Sequence, residues 1–330
     1  MEYTKVSNEE WEEIVLNSDN ASFFHSPLWA KIMERTYGYR TATRLYEING
    51  KKILIPMMEL NLNKYGFKTY ASMPGNKDQG GLFSESDITI DDFKSIVNDI
   101  VGGKTLSLYL ALPLFKNLTL GKSSSSIKEE WKFKDEFDYV HLVNLEGKDF
   151  EDIWKNYKGK TRTHIRKAKK SGVEIRDATS LDDFKIFYDI LLGASQKWGL
   201  ETPPIPFKLL KNLYKYAPSH TQLKLAVKED KIIAGQLSFP YSKIVHGYIS
   251  SFLREYGTFH PTSLLYNEVI KQACQEGYKY FSFGPSGNLD HIRRVKEKFG
   301  AEKIEVNRYM IYSNFAKILD KINKIRSYSK

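Results

Sequence analysis

Apolar residues along the chain recur at two spacings, about 3.6 residues and about 2, and the order in which these alternate predicts an α/β chain. Trp11, Ile14 and Val15 share one side of a helix over 9–16, and a second helix spans 28–35 after Phe23-Phe24-His25-Ser26-Pro27. Strands over 41–48 and 51–59 meet at Asn49-Gly50, a dipeptide suited to the left-handed backbone of a tight hairpin. A Gly-rich connection over 73–81 leads to Phe93, Ile96, Val97, Ile100 and Val101. These fall at helical spacing, with Asp91 as N-cap and Gly102 as stop, and a strand over 105–112 closes the series.

The second half repeats this order. Phe184, Phe187, Leu191, Ala194 and Trp198 stripe a helix over 181–198, and a turn with Pro203, Pro204 and Pro206 precedes a helix over 207–216. Strands 221–227 and 231–239 turn about Glu229-Asp230; strand 244–253, helix 263–276 and strand 278–284 follow. The offset between the two series is roughly 175–180 residues, the self-similarity of a duplicated supersecondary unit. Between the copies lie a polar loop over 122–126, a strand over 137–145 and a long helix over 149–171 that stops at Gly172. Phe315, Ile318, Leu319, Ile322 and Ile325 stripe an amphipathic C-terminal helix, which is expected to dock on the protein.

Composition narrows the class. With 330 residues, 41% hydrophobic and 14% aromatic, the chain can fill two cores and is too apolar for disorder. The single Cys274 excludes an internal disulfide framework and fits a reducing compartment. One Cys and seven scattered His give no ligand spacing for zinc, so no metal is expected. The N-terminus is acidic and polar rather than a secretory signal, and no apolar run reaches the ~18 residues of a membrane span. A cytoplasmic protein without an integral membrane segment is therefore expected. The net charge of +10 favours anionic partners.

That charge is concentrated. Eight Lys or Arg and no acid lie between Lys155 and Lys170. On one continuous helix, Lys155, Lys158, Arg162, Arg166, Lys169 and Lys170 fall within an arc of about 120°, opposite Ile153, Trp154, Tyr157, His164, Ile165 and Ala168. Like charges at this spacing destabilise a helix by about 0.2–0.5 kcal/mol per pair, and no carboxylate relieves them. Arg162 and Arg166 at the centre suit bidentate phosphate contacts. Arg162, Arg166, Lys169 and Lys170 are therefore candidate anion-binding residues, for a tRNA backbone, a nucleotide diphosphate or a coenzyme.

A second concentration of chemistry follows strand 244–253. The chain runs through Arg254–Pro261 into a helix starting at Thr262 or Ser263, an arrangement that aims backbone N–H groups and a positive dipole end at one point. Arg254-Glu255-Tyr256-Gly257 resembles the Arg/Gln-x-x-Gly-x-Gly/Ala signature with which GNAT N-acetyltransferases hold the pyrophosphate of acyl-CoA. Arg254, Gly257, Thr262 and Ser263 are the donor-binding candidates by that likeness. Phe259 stands where the signature has a small residue, and its bulk hinders close approach of the backbone to a phosphate.

The segment Arg162-x-x-Ile165-Arg166-Lys167-Ala168-x-Lys170-x-Gly172-Val173, followed by Phe283-Gly284-Pro285-Ser286-Gly287 and Val295-Lys296-x-x-Phe299-Gly300, resembles the Fem family of nonribosomal aminoacyltransferases and its GNAT-like relatives. The likeness is clearest over about 138–305; in the first half only His25-Ser26-Pro27-x-Trp29 is similar. It implies two tandem GNAT-like domains of mixed α/β (α+β) type, central sheets flanked by helices, over 1–135 and 136–313, with the basic helix in the second and the amphipathic helix at 314–330. It also implies transfer of an aminoacyl group from aminoacyl-tRNA, or an acyl group from acyl-CoA, onto an amine acceptor such as a cell-envelope or nucleotide-linked precursor. No tightly bound cofactor is implied, since the donor itself is the acyl-CoA or aminoacyl-tRNA. Lys296 matches the lysine of the family's Phe-Lys-x-x-Phe-Gly turn, with Val295 in place of the aromatic, and a Lys there can stabilise a developing oxyanion. Tyr248, His260, Asp290 and His291 lie where a base is needed to take a proton from the amine. An acyl-CoA-dependent N-acetyltransferase of an amino sugar or small amine is the alternative, and a non-catalytic RNA-binding protein using the basic helix alone is a third reading.

Overall fold

The computed structural model describes residues 2–18, 21–60, 66–72, 74, 80–111, 132–197, 199–286 and 289–316. Contacts divide the chain into two compact units, Met1–Asp138 with Glu305–Lys330, and Tyr139–Ile304. The stretch from Glu305 thus packs with the first unit, whereas the sequence reading extended the second domain to 313.

In the first unit, β1 (Tyr3–Thr4), β3 (Arg44–Ile48) and β4 (Lys51–Ile55) form a small antiparallel sheet. Asn49 and Gly50 turn its hairpin at φ 52° and 75°, the left-handed values the dipeptide was expected to supply. A second sheet has the order β2 (Arg40–Thr41), β5 (Met58–Glu59), β6 (Lys68–Ala71), β7 (Thr105–Ala111), β14 (Glu302–Tyr312). Helices α1 (Asn8–Leu16) and α2 (Pro27–Tyr37) open the unit, with Ser7 and Ser26 accepting from the first-turn amides. Helix α3 (Ile90–Ile100) joins the parallel pair β6 and β7. Its N-cap is Thr89 rather than Asp91, because Thr89 and Asp92 exchange side-chain and backbone hydrogen bonds in a capping box. Phe93, Ile96, Val97 and Ile100 of α3 then pack on Leu108 and Leu110 of β7 and Tyr309 and Ile311 of β14.

The second unit is built on a sheet of order β8 (Lys132–Asn144), β13 (Tyr280–Pro285), β12 (Ile244–Phe252), β11 (Lys231–Tyr241), β10 (Gln222–Lys228), β9 (Glu174–Asp177), with Tyr139–Asn144 the part of β8 inside this unit. Its helices are α4 (Phe150–Asn156), α5 (Gly159–Lys170), α6 (Leu181–Lys197), α7 (Phe207–Tyr216), α8 (Pro261–Gln275) and α9 (Asp290–Glu297). Only the pair β12 and β13 is parallel, and α8 joins it, as α3 joins β6 and β7. The repeated helix–helix–strands–helix–strand order predicted from sequence is therefore present, and the mixed α/β architecture is as expected.

The core of this unit lies where α4, α5 and α8 cover the sheet. Tyr157 and Tyr266 pack edge to face on Phe299 within it, and Tyr266 does so on Phe283, contacts worth about 0.5–1.5 kcal/mol each beyond the area they bury. On another strand, Gly235 lets Phe187 of α6 lie against β11, since a Cβ there would collide with the ring.

The long basic helix expected over 149–171 is two helices. Tyr157 leaves α4 with extended backbone (φ −65°, ψ 140°), and the amide of Lys158 is bonded to the Lys298 carbonyl at 2.9 Å. The break has a packing cause. Tyr157 is buried against Phe299, and Gly300 approaches Asn156 so closely that a Cβ would lie 3.2 Å away. Lys155 and Lys158 consequently leave the cationic arc. The loop 122–126, Trp198, Gly287 and the stripe from Ile318 onward lie outside the described residues, as does most of 73–81.

Candidate active site

The parallel strands β12 and β13 pair at Ile244↔Tyr280, Val245↔Phe281 and His246↔Ser282, and the ladder between them ends at that level. Both are irregular there. Leu237 pairs with Ile249 and Ser238 with Gly247, so Tyr248 is an extra residue in β12, left out of the ladder as in any β-bulge. In β13, Ser282 pairs with Leu142 but Pro285 with Val140, which bulges the strand at Phe283-Gly284. Gly284 has φ 65°, and a Cβ there would sit 3.2 Å from His246 Nε2, so the position needs glycine twice over. Parted, bulged strand ends are where side chains and backbone groups can be re-aimed toward a ligand.

Lys296 holds this bulge. Its side chain is buried, and Nζ donates to the carbonyls of Gly284 at 2.8 Å and of Pro285. Both carbonyls lie at the irregular end of β13, so the ammonium ties α9 to the bulge. Tyr248 of β12 packs on Phe239 of β11, ring centroids 5.0 Å apart. Asp290 and His291 are exposed at the start of α9, Asp290 paired with Arg293 at 3.2 Å.

A cavity of about 400 Å3 opens where β12 ends, lined by Gly193 and Ala194 of α6, by β12 from Ser250, and by Arg254 and Thr262. Two of the donor-binding candidates therefore share one cavity. Gly257 has a local cause, because a Cβ would lie 3.2 Å from the Phe252 ring. The start of α8 is poor in free amides. Helix α8 begins at Pro261, which has no N–H, while the amides of Ser263 and Leu264 turn to the His260 carbonyl at 3.1 and 3.4 Å.

Helix α5 reaches the same helix end. His164 of α5 and His260, the N-cap of α8, stack with centroids 3.8 Å apart and planes 7° apart. Burial holds both imidazoles below their usual pKa of 6.5, helped at His164 by Lys160, Lys298 and Lys167, and at His260 by His164, Lys167 and Lys160. Both rings are thus neutral at pH 7 and set among lysines. His260 is thus engaged with α5.

The basic residues divide by role. Arg166 is exposed with its guanidinium 5.6 Å from the Trp154 ring, and Lys170 is exposed at the end of α5. Lys169 pairs with Glu268 of α8 at 2.9 Å. Arg162 turns inward. Its Nη1 donates to the carbonyls of Trp154, Lys155 and Tyr157 at 3.4, 2.8 and 2.6 Å, capping the end of α4. That contact gives Nη1 a structural role at the break between α4 and α5, which a helical-wheel count does not show.

Two residues that no sequence signal singled out for chemistry lie beside Lys296. His141 of β8 is fully buried, with Nδ1 3.3 Å from Ser286 Oγ, and its Nε2 has no hydrogen-bond partner among the described residues. Ser286 was part of a quoted motif without a role, and a histidine inside a strand carries no spacing that would mark it.

Residues 155–293 match the family model of the acetyltransferase (GNAT) domain. No curated protein matches the sequence. The crystal structure of FemX is similar over 93% of this chain and 97% of its own, at 12% identity and a TM-score of 0.70. The C-terminal domain of a protein assigned as a lysylphosphatidylglycerol synthetase from Agrobacterium fabrum covers 97% of this chain and 96% of its own, at 13% identity and 0.57. The structure of L-PGS from Bacillus licheniformis covers 93% and 92%, at 11% identity and 0.53. Among the described residues no helix is long and apolar enough to cross a membrane. Residues 155–293 thus match a GNAT-like acetyltransferase domain, and the chain shares its fold with FemX, the Agrobacterium fabrum domain and L-PGS.

Proposed function

We propose that the chain transfers an aminoacyl or acyl group from an activated, phosphate-bearing donor to an amine acceptor. The end of the β12–β13 pairing, with a bulge at Tyr248 in β12 and Lys296 bonded to the Gly284 and Pro285 carbonyls of β13, carries this reading. Attack of an amine on an ester or thioester carbonyl builds negative charge on oxygen. The ammonium of Lys296 is a donor of the type that stabilises such an oxyanion, an effect worth about 3–4 kcal/mol in a dry site.

Aminoacyl-tRNA is the donor we favour. Lys160, Arg166, Lys167 and Lys170 are exposed on one short helix beside the α8 N-terminus, a surface suited to a polyanion. The α8 start offers few amides to a coenzyme pyrophosphate, and Phe259 adds bulk there. Acyl-CoA is the second reading, supported by the cavity beside Arg254 and Thr262, whose size suits an acyl group and its thioester arm. A cell-envelope or nucleotide-linked precursor is the acceptor class that the Fem likeness adds.

Titration with alanyl-tRNA and with acetyl-CoA at several salt concentrations tests the donor. The tRNA reading expects log K to fall with log salt at a slope of about −3, from roughly four phosphate contacts. Acetyl-CoA binding without tRNA binding selects the second reading. Binding of neither at low salt removes both, and tRNA binding without transfer under any acceptor points to an RNA-binding protein instead.

A further inference from the structure

Beside Lys296 the second unit holds a second polar group that oxyanion stabilisation does not use. Val140 of β8 pairs with Pro285 and Leu142 with Ser282, so His141 stands opposite the bulge at Phe283-Gly284. It has no solvent exposure, yet its ring makes one side-chain hydrogen bond, between Nδ1 and Ser286 Oγ at 3.3 Å. Nε2 points toward Glu297 Oε1 at 3.8 Å, beyond hydrogen-bond range, and the Glu297 side chain is half exposed. Ser286 is the first residue past β13, at the sheet end where β12 and β13 part.

We propose that Ser286 and His141 form a proton relay for the acceptor amine, with Ser286 Oγ meeting the amine and His141 Nδ1 receiving the proton. The inference rests on the acyl-transfer reading. The acceptor reaches the site as a neutral amine, having given its first proton to water. Its lone pair forms the N–C bond, and the electrons of the C–O or C–S bond leave with the donor, which takes a proton from solvent. The remaining surplus proton on nitrogen passes to Ser286 Oγ as the Ser286 hydroxyl proton passes to Nδ1, leaving an amide and an imidazolium. Nδ1 must be the unprotonated nitrogen before the step, so the resting proton sits on Nε2, on the side of the Glu297 carboxylate.

The surroundings suit a neutral resting base. Burial, first, and then Lys296, Lys303 and Arg293 hold His141 below its usual pKa, while Glu297 of α9 opposes them. Glu297 is the one carboxylate among these groups and the counter-charge for the imidazolium. Ser286 is a catalytic residue in this scheme, and His141 a positioning residue and proton store acting through it.

Nitrogen NMR of the imidazole-labelled protein, with transfer assays using acetyl-CoA and alanyl-tRNA as donors and glucosamine and lysine as acceptors, tests the relay. The relay requires His141 to rest with its proton on Nε2. Ser286→Ala and His141→Gln are expected to lower kcat about 100-fold with the donor KM unchanged within a factor of about two, and Ser286→Thr, which keeps the hydroxyl, to restore most of it. The acid limb of the kcat profile, read between about pH 5 and 9, vanishes in His141→Gln and moves to lower pH in Glu297→Gln. A resting proton on Nδ1 overturns the relay whatever the donor, because the ring then donates to Ser286. Equal kcat in wild type and Ser286→Ala does the same. An Nε2 proton with neither donor turned over removes the acyl-transfer reading and the relay with it, so the two failures are told apart.

Discussion

Each unit carries one pair of parallel strands joined through a helix, and the two pairs end differently. In the first, β6 and β7 stay tied to the last residues. Ser72 donates its amide to the Tyr109 carbonyl at 2.8 Å, and its Oγ accepts from the Ala111 amide at 3.3 Å. Gly80 is pressed against that corner, where a Cβ would collide with Ser72 Oγ and lie 3.1 Å from the Ala111 carbonyl. In the second unit the pairing stops at His246, both strands bulge, and a buried lysine donates to two carbonyls of β13. The same supersecondary unit thus keeps its pairing tied at the strand ends in one copy and loses it to bulges in the other. A duplicated fold can keep one copy for support and free the other for chemistry, and the difference lies in a few backbone hydrogen bonds.

The sharpest way to break this comparison is to disable each copy at its strand ends. Lys296→Met keeps the buried volume but removes the ammonium, and is expected to lower transfer about 100-fold, the scale of losing one oxyanion donor. Ser72→Ala in the first unit is expected to leave transfer within about twofold and to cost about 1 kcal/mol of stability by urea unfolding. Equal losses of activity would end the division of labour. Gly235→Ala forces a methyl into Phe187 and is expected to cost about 1–3 kcal/mol by the same measurement, without a specific loss of donor affinity.

Smaller effects separate the two units by pH and salt. His25 of the first unit is fully buried, and burial lowers its pKa from 6.5 to about 3. Below pH 6.5 the unfolded chain binds a proton that the folded chain refuses. Its contribution is therefore complete above that pH and is lost as pH falls toward 3, by up to about 1.4 kcal/mol per pH unit. Unfolding of wild type and His25→Asn between about pH 4 and 7 should show this slope in the wild type alone. Arg166→Ala should make the tRNA salt slope about one unit less steep. Arg162→Gln should leave the slope unchanged and cost about 1 kcal/mol of stability, because Arg162 caps α4.

Much of the architecture was legible because it depends on local spacing. The stripes of α3 and α6, the hairpins at Asn49-Gly50 and Glu229-Asp230, and the repeat itself follow from periodicity and turn chemistry. What could not be read depends on contacts distant in sequence. The break at Tyr157 is set by Phe299 and Gly300, and α9 and β14 were not separated from the loop around Lys296. Among candidate site residues, Arg254 and Thr262 share a cavity, and Lys296 proved buried rather than a surface lysine. The His164–His260 stack and the His141–Ser286 contact join residues far apart in the chain, where no spacing signals a partner.

The central claim is that acyl transfer occurs where β12 and β13 part. A crystal structure with a non-hydrolysable aminoacyl-adenosine 5′-phosphate fragment tests it most directly. The account predicts the fragment's carbonyl between the Tyr248 bulge and Lys296, with its phosphate end toward Arg254 and Thr262. A fragment bound at the Ser72–Ala111 corner of the first unit, with the Tyr248–Lys296 gap empty, would contradict it.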